Sequence, residues 1–117
     1  MLSMTAYKRG DIILVPFPFS NQIATKKRPS VIVSSNLYNN VSSDIVIMAI
    51  TSRTDKTIGI GECLIMDWQV AGLLKPSAIK PAISTIEQQL VLKKLGSLSS
   101  NDLFSMENAL KRFLDLQ

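Results

Sequence analysis

The sequence predicts a mainly β domain with some helix, in which a small antiparallel sheet bends into an open barrel and a C-terminal helix packs across it. The first observation is a series of short runs, rich in isoleucine and valine, separated by glycine, proline, serine and asparagine. The second is the closing stretch 99–117, in which apolar residues recur at helical spacing. Because the chain has no internal repeat or linker, we expect one domain over residues 1–117.

The first predicted strand covers residues 12–15, whose continuous apolar character indicates burial on both faces. Pro16 and Pro18 are expected to end its regular pairing, because proline lacks the N–H that a ladder requires. The polar residues that follow predict a loop from Phe17 to Lys27. The second strand is expected at residues 30–34.

The middle of the chain predicts three further strands. Residues 36–43, rich in asparagine and serine, are expected to form an irregular connection, and residues 44–50 a buried central strand. A short fourth strand is expected at 62–66, close to two glycines. Residues 77–83 alternate weakly, and Pro81 restricts them to an edge strand or a strand with a bulge.

The end of the chain predicts one helix. Residues 85–95 fit either a helical turn or a last short strand, which ends at Gly96. Ser99 then stands three residues before Asp102, a spacing typical of a capped helix start. The apolar residues that follow share one face and are expected to pack: Leu103, Met106, Leu110, Phe113 and Leu114.

Composition excludes several kinds of chemistry. The chain has no histidine, and its one cysteine, Cys63, lies in an apolar run that suggests a buried thiol. Histidine-dependent catalysis and a disulfide framework are therefore excluded, and no metal or cofactor is expected. The net charge of +4 favours a nucleic-acid partner. Because no signal peptide and no run of roughly 18–20 apolar residues is present, we expect a cytoplasmic protein without a membrane segment.

Polar side chains at two strand ends are the candidates for chemistry. Lys26, Lys27 and Arg28 lead through Pro29 into the second strand, and proline restricts the residue before it to extended backbone. A guanidinium is a permanent cation that matches phosphate oxygens. Thr51 and Ser52 end the third strand with two hydroxyls. The pattern alone also fits a solvated charge run at 26–28 and a polar strand terminus at 51–52. The lysine pair 93–94 is expected to be a solvated face.

Six motifs, taken in order and spacing, resemble the MazF/PemK family of toxins from type II toxin-antitoxin systems. The similarity extends over residues 9–115. The motifs are GDIILV at 10–15, KRPSVIVS at 27–34, ITS at 50–52, GL at 72–73, KPS at 75–77 and LGSLS at 95–99.

This resemblance implies an SH3-like open barrel that forms a homodimer. It also implies a metal-independent, sequence-selective endoribonuclease (an mRNA interferase) that cleaves single-stranded RNA without a cofactor. The ribose 2′-hydroxyl would attack the adjacent phosphorus and leave a 2′,3′-cyclic phosphate and a 5′-hydroxyl. A small acidic antitoxin would be the cognate partner, and DNA would be bound only by the toxin–antitoxin complex.

The resemblance further implies that Arg28 and Thr51 are the catalytic residues. Arg28 would stabilise charge on the phosphorane and Thr51 would orient the reacting groups. Lys26 and Lys27 would contact phosphates, and Phe17 would stack on a base. The full set of expected substrate-binding residues is Phe17, Ser20, Asn21, Gln22, Lys26, Lys27, Ser52, Lys75 and Ser77.

The general base stays open. Certain relatives that this chain resembles use an aspartate near the loop that here reads Lys75-Pro76-Ser77, where no carboxylate stands. Thr51, Ser77, a water molecule and the substrate are the alternatives, with Glu62 and Asp67 more remote.

A competing hypothesis is a non-catalytic module of the same fold, either a gyrase-poisoning toxin or a nucleic-acid-binding barrel. The gyrase poisons that the chain resembles carry a C-terminal tryptophan, whereas this chain ends FLDLQ at 113–117.

Overall fold

The structure, a computed structural model, describes residues 7–17, 26–55 and 58–117. These residues form six strands, two α-helices and a short 3₁₀ turn. In chain order the elements are β1 (Asp11–Phe17), β2 (Lys26–Ile32), α1 (Asn36–Val41), β3 (Asp44–Thr51), β4 (Cys63–Ile65), β5 (Ser77–Glu87), the 3₁₀ turn (Gln88–Leu90), β6 (Lys93–Ser97) and α2 (Ser100–Leu114).

The six strands form one antiparallel sheet in the order β4-β5-β3-β2-β1-β6. The sheet curls into an open barrel, and the predicted fold class is confirmed. β3 lies inside the sheet between β2 and β5, as its apolar run predicts. Of the helices that the structure describes, none has the length and apolar character that crossing a membrane requires.

Both faces of the central strands are buried. One face carries the first core cluster, on which α2 packs through Met106. Adjacent residues of β1 divide between the faces, since Ile12 belongs to the first cluster and Ile13 to the second. The second cluster comprises Ile13, Val15, Ile32, Ile45, Ile47 and Ile86. Burial on both faces explains the continuous apolar runs in the sequence.

Three prolines lie inside the described strands, Pro16, Pro29 and Pro81, and the expectation that Pro16 ends the pairing of β1 is wrong. Pro16 pairs with Lys27 of β2, whereas β6 accompanies β1 only as far as Leu14. Beyond Leu14, β1 is paired with β2 on one side and has no strand on the other. The N–H group that Pro16 lacks would have no ladder partner on the side without a strand. β2 therefore begins earlier than predicted, at Lys26, and Lys26 and Lys27 are strand residues. The remaining residues of the predicted loop, 18–25, lie outside the described residues.

The connection predicted at 36–43 contains a helix instead. Ser35 caps α1 by accepting a hydrogen bond from the Tyr38 N–H at 3.0 Å. The buried Asn39 amide donates to the carbonyls of Tyr7 and Ser34, both at 3.2 Å. Asparagine and serine have low helix propensity, so these tertiary hydrogen bonds stabilise a helix that the local sequence disfavours.

The strand predicted at 77–83 is longer than expected and contains the expected bulge. β5 runs to Glu87 and pairs with both β3 and β4. Its register against β3 shifts between Met48 and Ile50, which pair with Ile83 and Ile79. Pro81 lies in this irregular stretch, where a residue without an N–H is tolerated.

The N-terminus of α2 is tied to the loop 66–76, which joins β4 to β5. Ser99 caps the helix, as predicted, by accepting from the Asp102 N–H at 3.2 Å. The Asp102 carboxylate is buried and accepts from the backbone N–H groups of Met66 and Asp67, at 3.0 and 2.8 Å. A residue predicted only as a helix-start signal thus also fixes the beginning of the loop.

The same loop contacts β6 backbone to backbone. A Cβ on Gly72 would lie 2.0 Å from the Leu95 carbonyl oxygen, and one on Gly96 would lie 2.4 Å from that of Ala71. Gly72 also has a φ of +84°, which a residue with a side chain adopts only under strain. The absence of side chains at these two positions lets the loop lie directly against β6.

We expect Gly72→Ala to lower the free energy of unfolding by about 2–4 kcal/mol, because positive φ and the overlap with Leu95 must both be relieved. Urea unfolding measures the change. Gly59→Ala is the matched control, since its Cβ would meet only the Glu62 carboxylate at 3.6 Å, an ordinary contact. Equal stability of the two variants would contradict the close-contact explanation.

We expect Asp102→Asn to destabilise the fold by about 2–3 kcal/mol. The asparagine side chain would turn its own N–H group toward one of the backbone N–H groups of Met66 and Asp67, and that group would lose its acceptor. Thermal or urea unfolding gives the value, and amide hydrogen exchange at Met66 and Asp67 should accelerate. Asp55→Asn, at an exposed position, is the control. Unchanged exchange at both amides would show that the carboxylate does not hold the loop.

Candidate functional site

A groove with a volume of about 740 Å³ lies where β2 and β3 meet the loop 66–76 and β6. We call it the basic groove. Its lining combines apolar residues with cationic and hydroxyl side chains. The lining residues are Lys26, Lys27, Arg28, Pro29, Ile50, Thr51, Ser52, Arg53, Gly72, Leu73, Leu74, Lys75, Ser77, Lys93 and Leu95.

The charge of the basic groove has one sign. Six of its fifteen described lining residues are lysine or arginine, and none is acidic. A concave surface lined by one sign of charge concentrates the field and attracts ions of the opposite sign. The groove is therefore suited to a polyanion, and its apolar and hydroxyl groups add surface and hydrogen bonds for the rest of such a ligand.

Strand register explains how Arg28 and Thr51 reach the same groove. β2 pairs with β3 through Ser30↔Ala49, Val31↔Met48 and Ile32↔Ile47. Continuing this register by two residues on each strand places Arg28 opposite Thr51, and directly opposite residues of a sheet point to the same face. Both residues line the basic groove, from strands rather than loops.

Local hydrogen bonds orient two of the hydroxyls. The Thr51 Oγ1 accepts from the Arg53 N–H at 3.1 Å, which occupies a lone pair and leaves the hydroxyl proton to donate. Ser77 is buried, and its hydroxyl donates to the Lys75 carbonyl at 2.8 Å. The Arg28 side chain is half-buried. The backbone groups of Arg53 and Lys75 therefore orient the Thr51 and Ser77 hydroxyls.

The structure places the predicted substrate-binding residues in three groups. Five of them line the basic groove: Lys26, Lys27, Ser52, Lys75 and Ser77. Phe17 is the last residue of β1 and pairs with Lys26, and its side chain lies outside the described part of the structure. Ser20, Asn21 and Gln22 lie outside the described residues.

Sequence reasoning missed two cations of the groove. Arg53 follows Thr51 by two residues, and this short spacing is the sequence feature that could have predicted its place in the groove. Lys93 belongs to the lysine pair 93–94, which the sequence predicts to be a solvated face, and only the position of β6 brings it to the groove. Its neighbour Lys94 forms an ion pair with the buried Asp11 carboxylate at 3.3 Å instead.

A smaller pocket adjoins the basic groove and shares Thr51 and Arg53 with it. We call it the side pocket. It has a volume of about 150 Å³, and Glu62 is the one carboxylate among its described lining residues. The Glu62 Oε1 accepts from the Gly59 N–H at 2.8 Å, which fixes the carboxylate. The lining residues are Thr51, Arg53, Ile58, Glu62, Ala78 and Lys80.

The remaining candidate groups lie apart from these sites. Cys63 is buried, and desolvation, with the nearby Asp102 charge as a second cause, raises the pKa of its thiol. A thiol with a raised pKa is a poor nucleophile at neutral pH. Asp67 lines neither pocket, and its backbone N–H donates to Asp102. Within residues 7–17, 26–55 and 58–117, no three potential metal-ligating side chains of the His, Cys, Asp or Glu type come together.

One comparison with known proteins identifies a family. Residues 8–114 match the family model described as PemK-like, MazF-like toxin of type II toxin-antitoxin system. A comparison with curated proteins finds no similar sequence.

Several solved structures share the fold at low sequence identity. An endoribonuclease in complex with its cognate antitoxin, from a mycobacterial species, is 19% identical with a TM-score of 0.75, covering 97% of this chain and 98% of that one. The Mycobacterium tuberculosis toxin MazF-mt6 is 18% identical with a TM-score of 0.74, covering 92% and 98%. MazF from Deinococcus radiodurans is 15% identical with a TM-score of 0.74, covering 96% and 99%.

Proposed function

Because the chain belongs to the family of PemK-like, MazF-like toxins of type II toxin-antitoxin systems, we propose that it is an endoribonuclease that cleaves single-stranded RNA at selected sequences. The observation that carries this proposal is the basic groove, in which Arg28 and Thr51 share a wall that has no acidic described residue. The similarity in fold to proteins named endoribonucleases supports it.

The proposed reaction uses a nucleophile that RNA itself carries. The ribose 2′-hydroxyl gives up its proton and attacks the adjacent phosphorus, the bond from phosphorus to the 5′-oxygen breaks, and that oxygen takes up a proton. The products are a 2′,3′-cyclic phosphate and a 5′-hydroxyl end. DNA lacks the 2′-hydroxyl and is not cleaved. The reaction therefore requires positioning and charge stabilisation from the protein, which are the properties that the basic groove offers.

Arg28 and Thr51 have distinct roles in this proposal. The Arg28 guanidinium stabilises the negative charge that develops on the phosphorane oxygens, because it is a permanent cation with several donors in one plane. Thr51 holds the reacting 2′-hydroxyl or a phosphate oxygen through its own hydroxyl, whose orientation the Arg53 N–H restricts. Neither residue requires a cofactor for these roles.

The lysines of the groove position the RNA backbone on either side of the scissile phosphate. Lys26 and Lys27 approach from β2, Lys75 from the loop 66–76 and Lys93 from β6. Phosphate contacts of this kind fix register and carry no base information. The segment that contains Ser20, Asn21 and Gln22 follows Phe17 directly and is proposed to extend the RNA-binding surface.

The proposal includes protein partners. A small acidic antitoxin is expected to bind this cationic chain, and the mycobacterial structure of similar fold contains a cognate antitoxin. Met66, Val70 and Leu74 of the loop 66–76 are exposed by 72%, 69% and 93%, and Leu74 lines the basic groove, so these apolar side chains are available to a covering protein. We further propose a cytoplasmic homodimer that binds DNA only within the toxin–antitoxin complex.

Substitution of Arg28 or Thr51 by alanine is expected to lower the rate of RNA cleavage by about 10² or more, because each change removes a donor that is held in place before reaction. The rate is measured with a chelator present, and the ends are analysed for 2′,3′-cyclic phosphate. Arg112→Ala and Thr85→Ala, both at exposed positions away from the groove, are the matched controls.

Intact RNA with the unaltered protein, or normal cleavage by both variants, would contradict the proposal. If the unaltered protein binds RNA without cutting it, the alternative of a non-catalytic binding barrel is correct. Inhibition of DNA supercoiling while RNA stays intact would identify a gyrase poison.

RNA affinity is expected to fall with salt, with a slope of log K on log salt of about −0.7 for each phosphate neutralised on a single strand. Removing Lys75 or Lys93 by substitution with alanine should therefore reduce the slope by about 0.7 each. Fluorescence anisotropy on the Thr51→Ala background measures binding without cleavage. Lys111→Ala, on the exposed face of α2, should leave the slope unchanged, and an equal change there would refute a specific role for the groove lysines.

A further inference from the structure

The side pocket differs chemically from the basic groove that it adjoins. The basic groove has cations and no described carboxylate, whereas the side pocket combines the Glu62 carboxylate with Arg53, Lys80 and the apolar Ile58 and Ala78. A phosphate would be repelled by Glu62. A neutral group with both hydrogen-bond donors and acceptors on an apolar ring would be accommodated, and a nucleobase is such a group.

We propose that the side pocket binds a cytosine of the RNA next to the scissile phosphate and that Glu62 selects it over uracil. The inference rests on the proposed ribonuclease function and adds to it a base-recognition site. A base-reading pocket of this kind would supply part of the sequence selectivity that phosphate contacts cannot provide.

The size of the side pocket fits a single ring. Its volume is about 150 Å³, and a protein cavity of about 150 Å³ is known to hold a benzene molecule. A pyrimidine ring is a six-membered ring of similar size, whereas a purine carries a second fused ring. The volume therefore favours pyrimidines.

Position also connects the side pocket to the proposed chemistry. Ala78 pairs directly with Thr51 across β5 and β3, and Lys80 lies two residues further along β5 on the same face. Thr51 lines both cavities. A base in the side pocket would thus belong to a nucleotide adjacent to the phosphate held by Arg28 and Thr51.

Glu62 distinguishes the two pyrimidines because a carboxylate only accepts hydrogen bonds. It is half-buried, and the turn with Gly59 fixes it, since the Glu62 N–H donates to the Gly59 carbonyl at 3.1 Å and Oε1 accepts the Gly59 N–H. Cytosine presents an N4 amino group that donates to such an acceptor, whereas uracil presents the O4 oxygen at the same place. Lys80 and Arg53 supply donors for the O2 carbonyl that both bases carry.

The experiment first maps cleavage of a long RNA of mixed sequence by the unaltered protein, which identifies the selected positions. Pairs of short RNAs that differ only by cytosine or uracil at each position beside the cut then give the ratio of kcat/KM for the two bases. We expect a cytosine preference of about tenfold or more at one position, the range of a good base contact.

Glu62→Gln is expected to reduce this ratio to one or below, because the amide places an N–H donor where the carboxylate has an acceptor, and that donor suits uracil O4 rather than cytosine N4. The carbonyl oxygen of glutamine can still accept from the Gly59 N–H, so the turn is retained. Glu87→Gln, the same substitution at an exposed position near the far end of β5, should keep the unaltered ratio. The ratio compares two substrates of one preparation, so partial unfolding does not change it.

The outcomes separate the two proposals. If the unaltered protein does not cleave RNA, the proposed function and the base pocket both fail. If it cleaves RNA but shows no cytosine preference beside the cut, or if Glu62→Gln leaves the preference intact, the base pocket alone is wrong. A Glu62→Gln variant that loses activity equally on both substrates keeps the cytosine preference and would likewise overturn the base-reading role.

Discussion

The position of the basic groove depends on one close contact between two pieces of backbone. Residues Ala71 and Gly72 of the loop 66–76 lie against Leu95 and Gly96 of β6, with no side chain between them. Since any Cβ at either glycine would overlap a carbonyl group, the contact exists only because both positions are glycine. It brings Lys75 from the loop and Lys93 from β6, two elements far apart in the sequence, to one groove.

The sheet supplies rigidity where the proposed chemistry requires it. β1, β2 and β3 carry buried residues on both faces, and Arg28 extends from within β2 and Thr51 from the end of β3 rather than from loops. Charge stabilisation is most effective when donors are already in position before reaction, because no energy is then spent on reorganising them. Asp102 makes the start of the loop 66–76 rigid as well, because its carboxylate accepts hydrogen bonds from two backbone N–H groups there.

The charges of the site are divided in a way that matches an RNA strand. The charged residues among the described lining of the basic groove are all cations, which suits a row of phosphates. The side pocket contains the fixed Glu62 carboxylate beside two cations, which suits the donors and acceptors at the edge of a base. The solved structures compared above share under a quarter of their residues with this chain. Differences in such side pockets offer a physical route by which one scaffold can read different sequences.

The sequence alone determined most of the strands and the capped C-terminal helix, because these follow from local patterns. A β-branched run predicts a buried strand, Ser99 predicts a helix start, and Arg28 and Thr51 stand at the ends of apolar runs whatever lies around them. Tertiary structure alone decided the helix at 36–41, the pairing of Pro16, the place of Lys93 and the side pocket around Glu62. Each of these depends on which segments become neighbours, and contacts between residues distant in the chain leave no local signal in the sequence.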